Sequence, residues 1–123
     1  MADEITIDAR LRVTNGSFVE DRRVQALKAD MTGTGLDHHN QAIGFAAHEA
    51  VTVNADVGTE GWAYFTNLDA TNFVLIGVDV AATFYPLVKL LAGEVAMFRL
   101  ATGTFHAQAD TASVDLEVFV LEA

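Results

Sequence analysis

The chain has 123 residues and a mass of 13.2 kDa, and its 17 acidic and 7 basic side chains give a formal charge of −10 and a pI near 4.5. That length suits one ordinary domain, and that charge argues against nucleic acid as a partner, because tracking phosphates needs a basic patch that displaces counterions. The absence of cysteine removes disulfides, thiolate nucleophiles and Cys-ligated zinc. The acids Asp3 and Glu4 stand where a signal peptide carries base, and the longest apolar runs, 72–78 and 86–92, fall far short of the roughly 20 residues of a membrane span.

The charge is uneven along the chain. Residues 1–28 balance five basic groups against five acidic ones, while residues 29–123 set Lys89 and Arg99 against twelve carboxylates and so carry the whole −10. Within the neutral segment, Ile5, Ile7, Ala9, Leu11 and Val13 alternate with Thr6, Asp8, Arg10 and Arg12. This period of two predicts a strand with one apolar row. Asn15-Gly16 then predicts a hairpin through a type I′ turn, which needs positive φ at both central positions. The same Asn15-Gly16-Ser17 matches a glycosylation acceptor, but without a secretory signal the turn explains it. Residues 22–31 fit either a helix, with Val24, Leu27 and Met31 on one side, or a strand continuing the hairpin; the strand is favoured.

Further strands are expected at 51–57, 61–67, 72–78, 94–101, 105–109 and 113–122, the last with Val114, Leu116, Val118 and Val120 on one face. Residues 81–93 fit a short helix from Pro86 to Gly93 or a strand, and the strand is again favoured. Turns are expected at 58–61, 67–72, 92–94 and 102–104. Fourteen valines and twelve threonines agree with β composition. About eight strands with short connections predict an all-β, jelly-roll-like antiparallel sandwich. It would form a single domain over residues 1–123, with 1–14 as its first strand or as an extended N-terminal arm.

The densest polar cluster is TGTGLDHHNQAIG (32–44) followed by His48-Glu49. Asp37, His38, His39, His48 and Glu49 are metal-ligand types, and jelly rolls of the cupin kind hold metals. The cupin spacing is missing, however, since adjacent histidines on a strand point to opposite faces. The helical zinc-protease spacing is missing too. Gly33 and Gly35 resemble the start of a dinucleotide fingerprint, but His38 stands where its third glycine belongs, which leaves a turn. His106 stands alone in a strand, and no serine or threonine has an evident base. No catalytic, metal-binding or cofactor-binding residues are therefore assigned. Trp62, Tyr64 and Phe65 concentrate aromatic area, either as core or as a platform for a sugar or another subunit.

The run EGWAYFTNLDATNFVLIGVD (60–79), Phe84 and Pro86, LAGEVAMFRL (91–100), HAQA (106–109) and the closing VDLEVFVLEA together resemble small virion structural proteins of tailed bacteriophages. The likeness covers half to two-thirds of the chain. It implies a non-enzymatic structural protein, either a jelly-roll capsid decoration (cement) protein or a tail or tail-tip subunit. For a cement protein it further implies synthesis in the host cytoplasm, a place on the capsid exterior, the major capsid protein as partner, and a trimer. An acidic body suits a surface facing solvent. The neutral segment, with Ile5, Ile7, Arg10, Arg12, Arg22 and Arg23, is then the expected docking surface. It would add a strand to a neighbour and offer arginines to its carboxylates. The rival readings are a sugar-binding module using Trp62 and Tyr64 and a cupin-like protein using His38, His39 and His48.

Overall fold

In the computed structural model, residues 3–123 are described; Met1 and Ala2, which belong to the expected arm, lie outside the described residues. Alternating apolar and polar side chains extend the chain into ten strands, all paired antiparallel: β1 (Ile5–Asn15), β2 (Phe18–Ala29), β3 (Leu36–Ile43), β4 (Glu49–Ala50), β5 (Glu60–Asn67), β6 (Val74–Val80), β7 (Thr83–Leu90), β8 (Val95–Arg99), β9 (His106–Ala109) and β10 (Val114–Glu122). No helix occurs among the described residues, so both ambiguous stretches, 22–31 and 81–93, resolve as strand over most of their length. The chain divides into two compact units, residues 3–32 and 33–122. Residues 5–14, expected as an arm or a first strand, form the first strand of a two-stranded ribbon.

The second unit is a sandwich of two four-stranded sheets, ordered β3-β10-β5-β8 and β4-β9-β6-β7. This is jelly-roll order, built from eight strands. Its core is made by the inward rows: Phe65 from β5, Val114, Leu116, Val118 and Val120 from β10, and Val74 and Ile76 from β6. Phe105 closes on the Phe65 ring at 5.3 Å between centroids, an edge-to-face geometry that favours the pair beyond its buried area.

One expected strand is absent. Over residues 51–57 Val51 and Val57 are buried and Val53 half-buried, but Ala55 is exposed and only Glu49–Ala50 ahead of them pairs with β9. Beyond Val51, whose N–H donates to the Phe105 carbonyl (2.9 Å), side chains of β3 take the place of a ladder. The Thr52 N–H donates to Gln41 Oε1 (3.1 Å) and the Asn54 N–H to Asp37 Oδ2 (2.8 Å). A backbone whose donors are met by side chains has no need of a neighbouring strand.

Asn67, at the end of β5, has a fully buried side chain. Its Nδ2 donates to the carbonyls of Asn72 (2.8 Å) and Leu90 (3.0 Å), and its Oδ1 accepts the Asp69 N–H (2.9 Å). Its backbone N–H donates to the Glu94 carbonyl, and its carbonyl accepts from the Gly93 N–H, both at 3.0 Å. Asp69 then accepts the N–H groups of Asn72 (2.6 Å) and Thr71 (2.9 Å). These two bonds hold its carboxyl below the usual value, the Asn72 bond contributing most.

The β6–β7 loop is Ala81-Ala82, with both residues at positive φ (51° and 67°) between the paired Val80 and Thr83. This is the two-residue hairpin loop expected for Asn-Gly, made here by residues whose Cβ disfavours it. Further along, Gly77 lies opposite Pro86, and a Cβ on Gly77 would strike the Tyr85 carbonyl. The register slips beside it, leaving Leu87 as a bulge on an edge strand where Pro86 can do without a donor.

Two stability outcomes follow from this arrangement. Asn67→Ala leaves two carbonyls and one N–H without partners, at roughly 1–3 kcal/mol for each buried group, so thermal unfolding should fall by roughly 15 °C. Ala81→Asn with Ala82→Gly relieves the left-handed strain and should stabilise by about 1 kcal/mol, read as a higher Tm in the same calorimetric scan.

Candidate partner-binding site

The polar cluster of residues 32–49 is dispersed by the strand it forms. Along β3 the side chains of Asp37, His39, Gln41 and Ile43 turn inward, and Leu36, His38, Asn40 and Ala42 turn out. His38 Nε2 meets Glu117 Oε2 on the outer face (2.9 Å), while His39 Nδ1 meets Asp37 Oδ1 inside (2.8 Å). His48 pairs with His106, Nδ1 to Nδ1 at 2.9 Å, and stacks on Phe84 with ring centroids 5.2 Å apart. Glu49 accepts from the Gly44 N–H and the Gln41 amide. Among the described residues no three His, Asp or Glu side chains gather around a point where a metal could sit.

The two glycines of the fingerprint-like run also have a local role. The Gly35 N–H donates to Glu122 Oε2 (2.9 Å), and a Cβ on Gly33 would collide with the same carboxylate. At Gly35 a Cβ would also strike the Asp56 carbonyl, so the close backbone approach there calls for glycine. No phosphate-binding helix follows them.

The aromatic strand divides as its period requires. Phe65 is core, and Trp62, Tyr64 and Thr66 face outward on the β3-β10-β5-β8 sheet. Arg99 covers the indole ring, its guanidinium carbon 5.3 Å from the centroid, and the buried Trp62 Nε1 has no hydrogen-bond partner among the described residues. A stacked arginine takes the ring face a sugar would need. The register aligns His38, Phe119, Tyr64 and Met97 as one row across all four strands. With Leu36 and Val95 about half exposed, the outer face is far more apolar than a solvated sheet face requires.

The expected docking residues all lie on the β1–β2 ribbon. Its turn is Gly16-Ser17, one residue later than Asn15-Gly16, because Asn15 pairs with Phe18 and closes the ladder. Only Gly16, the first central residue, has positive φ (60°), which is the type II′ pattern and not type I′. At Asp8 the ribbon carries a bulge: Ile7 pairs with Leu27 but Ala9 with Val24, and Ala26 sits at φ 55° with its N–H on Asp8 Oδ1 (2.7 Å).

Cross-strand pairing sorts the ribbon into two faces. One is apolar and carries Ala9 with Val24, Leu11 with Arg22, Val13 with Glu20, and Phe18 near the turn. The other carries Arg10 directly opposite Arg23, and Arg12 opposite Asp21. Ile5 and Ile7, expected to meet a partner, are instead buried (6 % exposed each). The exposed apolar area lies further out, at Leu11 (78 %), Phe18 (57 %), Val13 and Val24. Arg10 grips Asp21 through Nε (3.1 Å) and Nη2 (2.6 Å), and Arg22 reaches Glu20 (2.9 Å). Among the described residues Arg12 and Arg23 make no ion pair. The four expected arginines share one element, and the exposed apolar residues beside them, Leu11, Val13, Phe18 and Val24, were not singled out by the sequence. The alternation that marks them is the same whether the row is covered or bare.

No family model, curated protein or solved structure matches the chain.

The hydrogen bond from His38 holds the Glu117 carboxyl below its ordinary value of 4.5. A carboxyl with a depressed value in the folded state adds stability at pH above that ordinary value, and this contribution is lost as the pH falls through the folded-state value. Glu117→Gln should therefore flatten the acid limb of Tm against pH while leaving the neutral-pH fold intact, as followed by circular dichroism.

Proposed function

We propose that this chain is a non-enzymatic structural protein of a tailed-phage virion: a capsid decoration protein that binds the outside of the head as a homo-oligomer, a trimer. The observation that carries this reading is the β1–β2 ribbon. A two-stranded ribbon is marginal in water by itself, and this one leaves Leu11 and Phe18 exposed and sets Arg10, paired with Asp21, directly opposite Arg23, which has no ion pair among the described residues. Such an element suits assembly, where a partner covers the apolar row and supplies carboxylates.

The partner is the major capsid protein, and the arginine face of the ribbon is the shell-facing one. Arg12 and Arg23 are its available cations, with Arg10 positioned beside them by Asp21. Each such contact is weak by itself, but repeated in an oligomer on a lattice of identical sites it gains from effective concentration. The acidic remainder, with all of the −10, faces solvent and stays away from the packaged genome. The phage-like runs at 60–79 and 91–100 support the same reading, since they form β5, the Asn67–Asn72 turn, β6 and β8 of a jelly roll.

Purified protein added to expanded heads lacking their decoration should bind to a saturable stoichiometry and raise the temperature at which the heads rupture. Arg12→Glu with Arg23→Glu should lower occupancy by about 10-fold or more. Absence of binding to heads, with the protein found along the tail instead, would replace the decoration role with the tail one.

A further inference from the structure

Among the apolar surfaces that the described residues leave open, two differ in charge: one on the neutral ribbon and one on the acidic body. One is the outer half of the ribbon's apolar face, with Leu11, Val13, Phe18 and Val24. The other is the outer face of the β3-β10-β5-β8 sheet, centred on the row of Phe119, Tyr64 and Met97. We propose that each covers the other between copies: the ribbon of one subunit lies with its apolar face on the outer face of the β3-β10-β5-β8 sheet of a second copy.

Charge favours a neutral ribbon over a second acidic body as the occupant of this face. Residues 29–123 carry −10, so two bodies placed face to face repel each other, whereas the segment 1–28 is neutral and can approach a body without that cost. The contact also has a local complement. Arg22 stands among the ribbon's apolar residues, opposite Leu11, and is well exposed, with its Nη1 bonded to Glu20. The outer face offers Asp115 on β10, on the same side of the strand as Phe119 and as Glu117, whose carboxylate also meets His38.

Dimensions agree as well. The eleven residues of β1 extend about 36 Å. The eight residues of β5 present about 27 Å, and a sheet of four strands spaced about 4.8 Å apart is broad enough to receive a two-stranded ribbon lengthwise. Ribbon on sheet then makes a third layer with the face-to-face packing of a sandwich.

The contact is heterologous, with donor and acceptor patches differing, so each subunit gives one ribbon and receives another. Such a set closes into a ring when the rotation between subunits divides the circle, which is the contact a trimer would use. The ribbon's opposite face, with Arg12 and Arg23, stays free for another partner. This inference concerns the oligomer in solution and does not depend on the shell.

Sedimentation of the full-length protein at micromolar concentration should give a closed oligomer. Leu11→Lys with Phe18→Lys alters only the ribbon, and Tyr64→Lys with Met97→Lys alters only the sheet face. Each pair should weaken association by on the order of 100-fold while leaving the β-sheet circular dichroism unchanged. Mixing the two variants is the decisive step. An intact ribbon from one and an intact face from the other can form one junction and no more, so a 1:1 dimer is expected. A monomeric wild type, an oligomer that survives either pair of substitutions, or variants that fail to join on mixing would overturn the pairing. Arg12→Glu with Arg23→Glu should keep the oligomer, so a protein that assembles yet ignores phage heads would defeat the decoration role and leave this inference standing.

Discussion

The jelly roll depends on one buried amide. Asn67 has no access to water, so each of its polar atoms must find a protein partner or impose a large desolvation cost. It finds them on four segments: the turn after β5, the approach to β6, the end of β7 and the turn before β8. Those segments flank strands of both sheets, so one residue, through its amide and its own backbone, ties the end of the sandwich where β5 and β8 on one sheet meet β6 and β7 on the other. A strand ladder could not do this, because ladders run within a sheet. Asp69 extends the same logic outward by gathering the backbone donors of Thr71 and Asn72 into a turn that places the Asn72 carbonyl where Asn67 needs it.

The other polar residues repeat the pattern on a smaller scale. Asp37 and Gln41 supply acceptors to a segment that has no strand beside it, and Glu122 fills the turn made by Gly33 and Gly35. Polar groups that resemble binding chemistry in the linear sequence are thus largely spent on the backbone of the protein itself. What these groups leave open are surfaces: the two faces of the ribbon and the outer face of the β3-β10-β5-β8 sheet, which carry exposed apolar side chains beside arginine or carboxylate.

How far the chain was legible varies with the kind of signal. The strands 5–13, 61–67 and 113–122 could be read because burial on one face imprints a period of two. The Asn-Leu-Asp turn could be read because those side chains hydrogen-bond their own backbone. The β6–β7 hairpin could not, because Ala81-Ala82 carries no turn chemistry and only the paired strands on either side hold it in the left-handed region. Residues 51–57 misled for a related reason. Their valines turn inward, yet the backbone donors that a strand would pair are met by the side chains of Gln41 and Asp37 on β3. The hairpin turn moved by one residue for a matter of register, since the pairing of Asn15 with Phe18 decides which two residues are left to turn.

By itself the sequence determined the class of the fold, the neutral and acidic division of the chain, and the residue types present at every candidate site. These follow from periodicity and charge, which are properties of order along the chain. The tertiary structure decided which apolar rows are covered and which stay bare. It buried Ile5 and Ile7, exposed Leu11 and Phe18, and separated His38 and His39 from His48. It also aligned Phe119, Tyr64 and Met97 from three strands into one surface. Those outcomes turn on register and on neighbours distant in sequence, and an alternating pattern reads the same whether its apolar row meets a core, a partner or water.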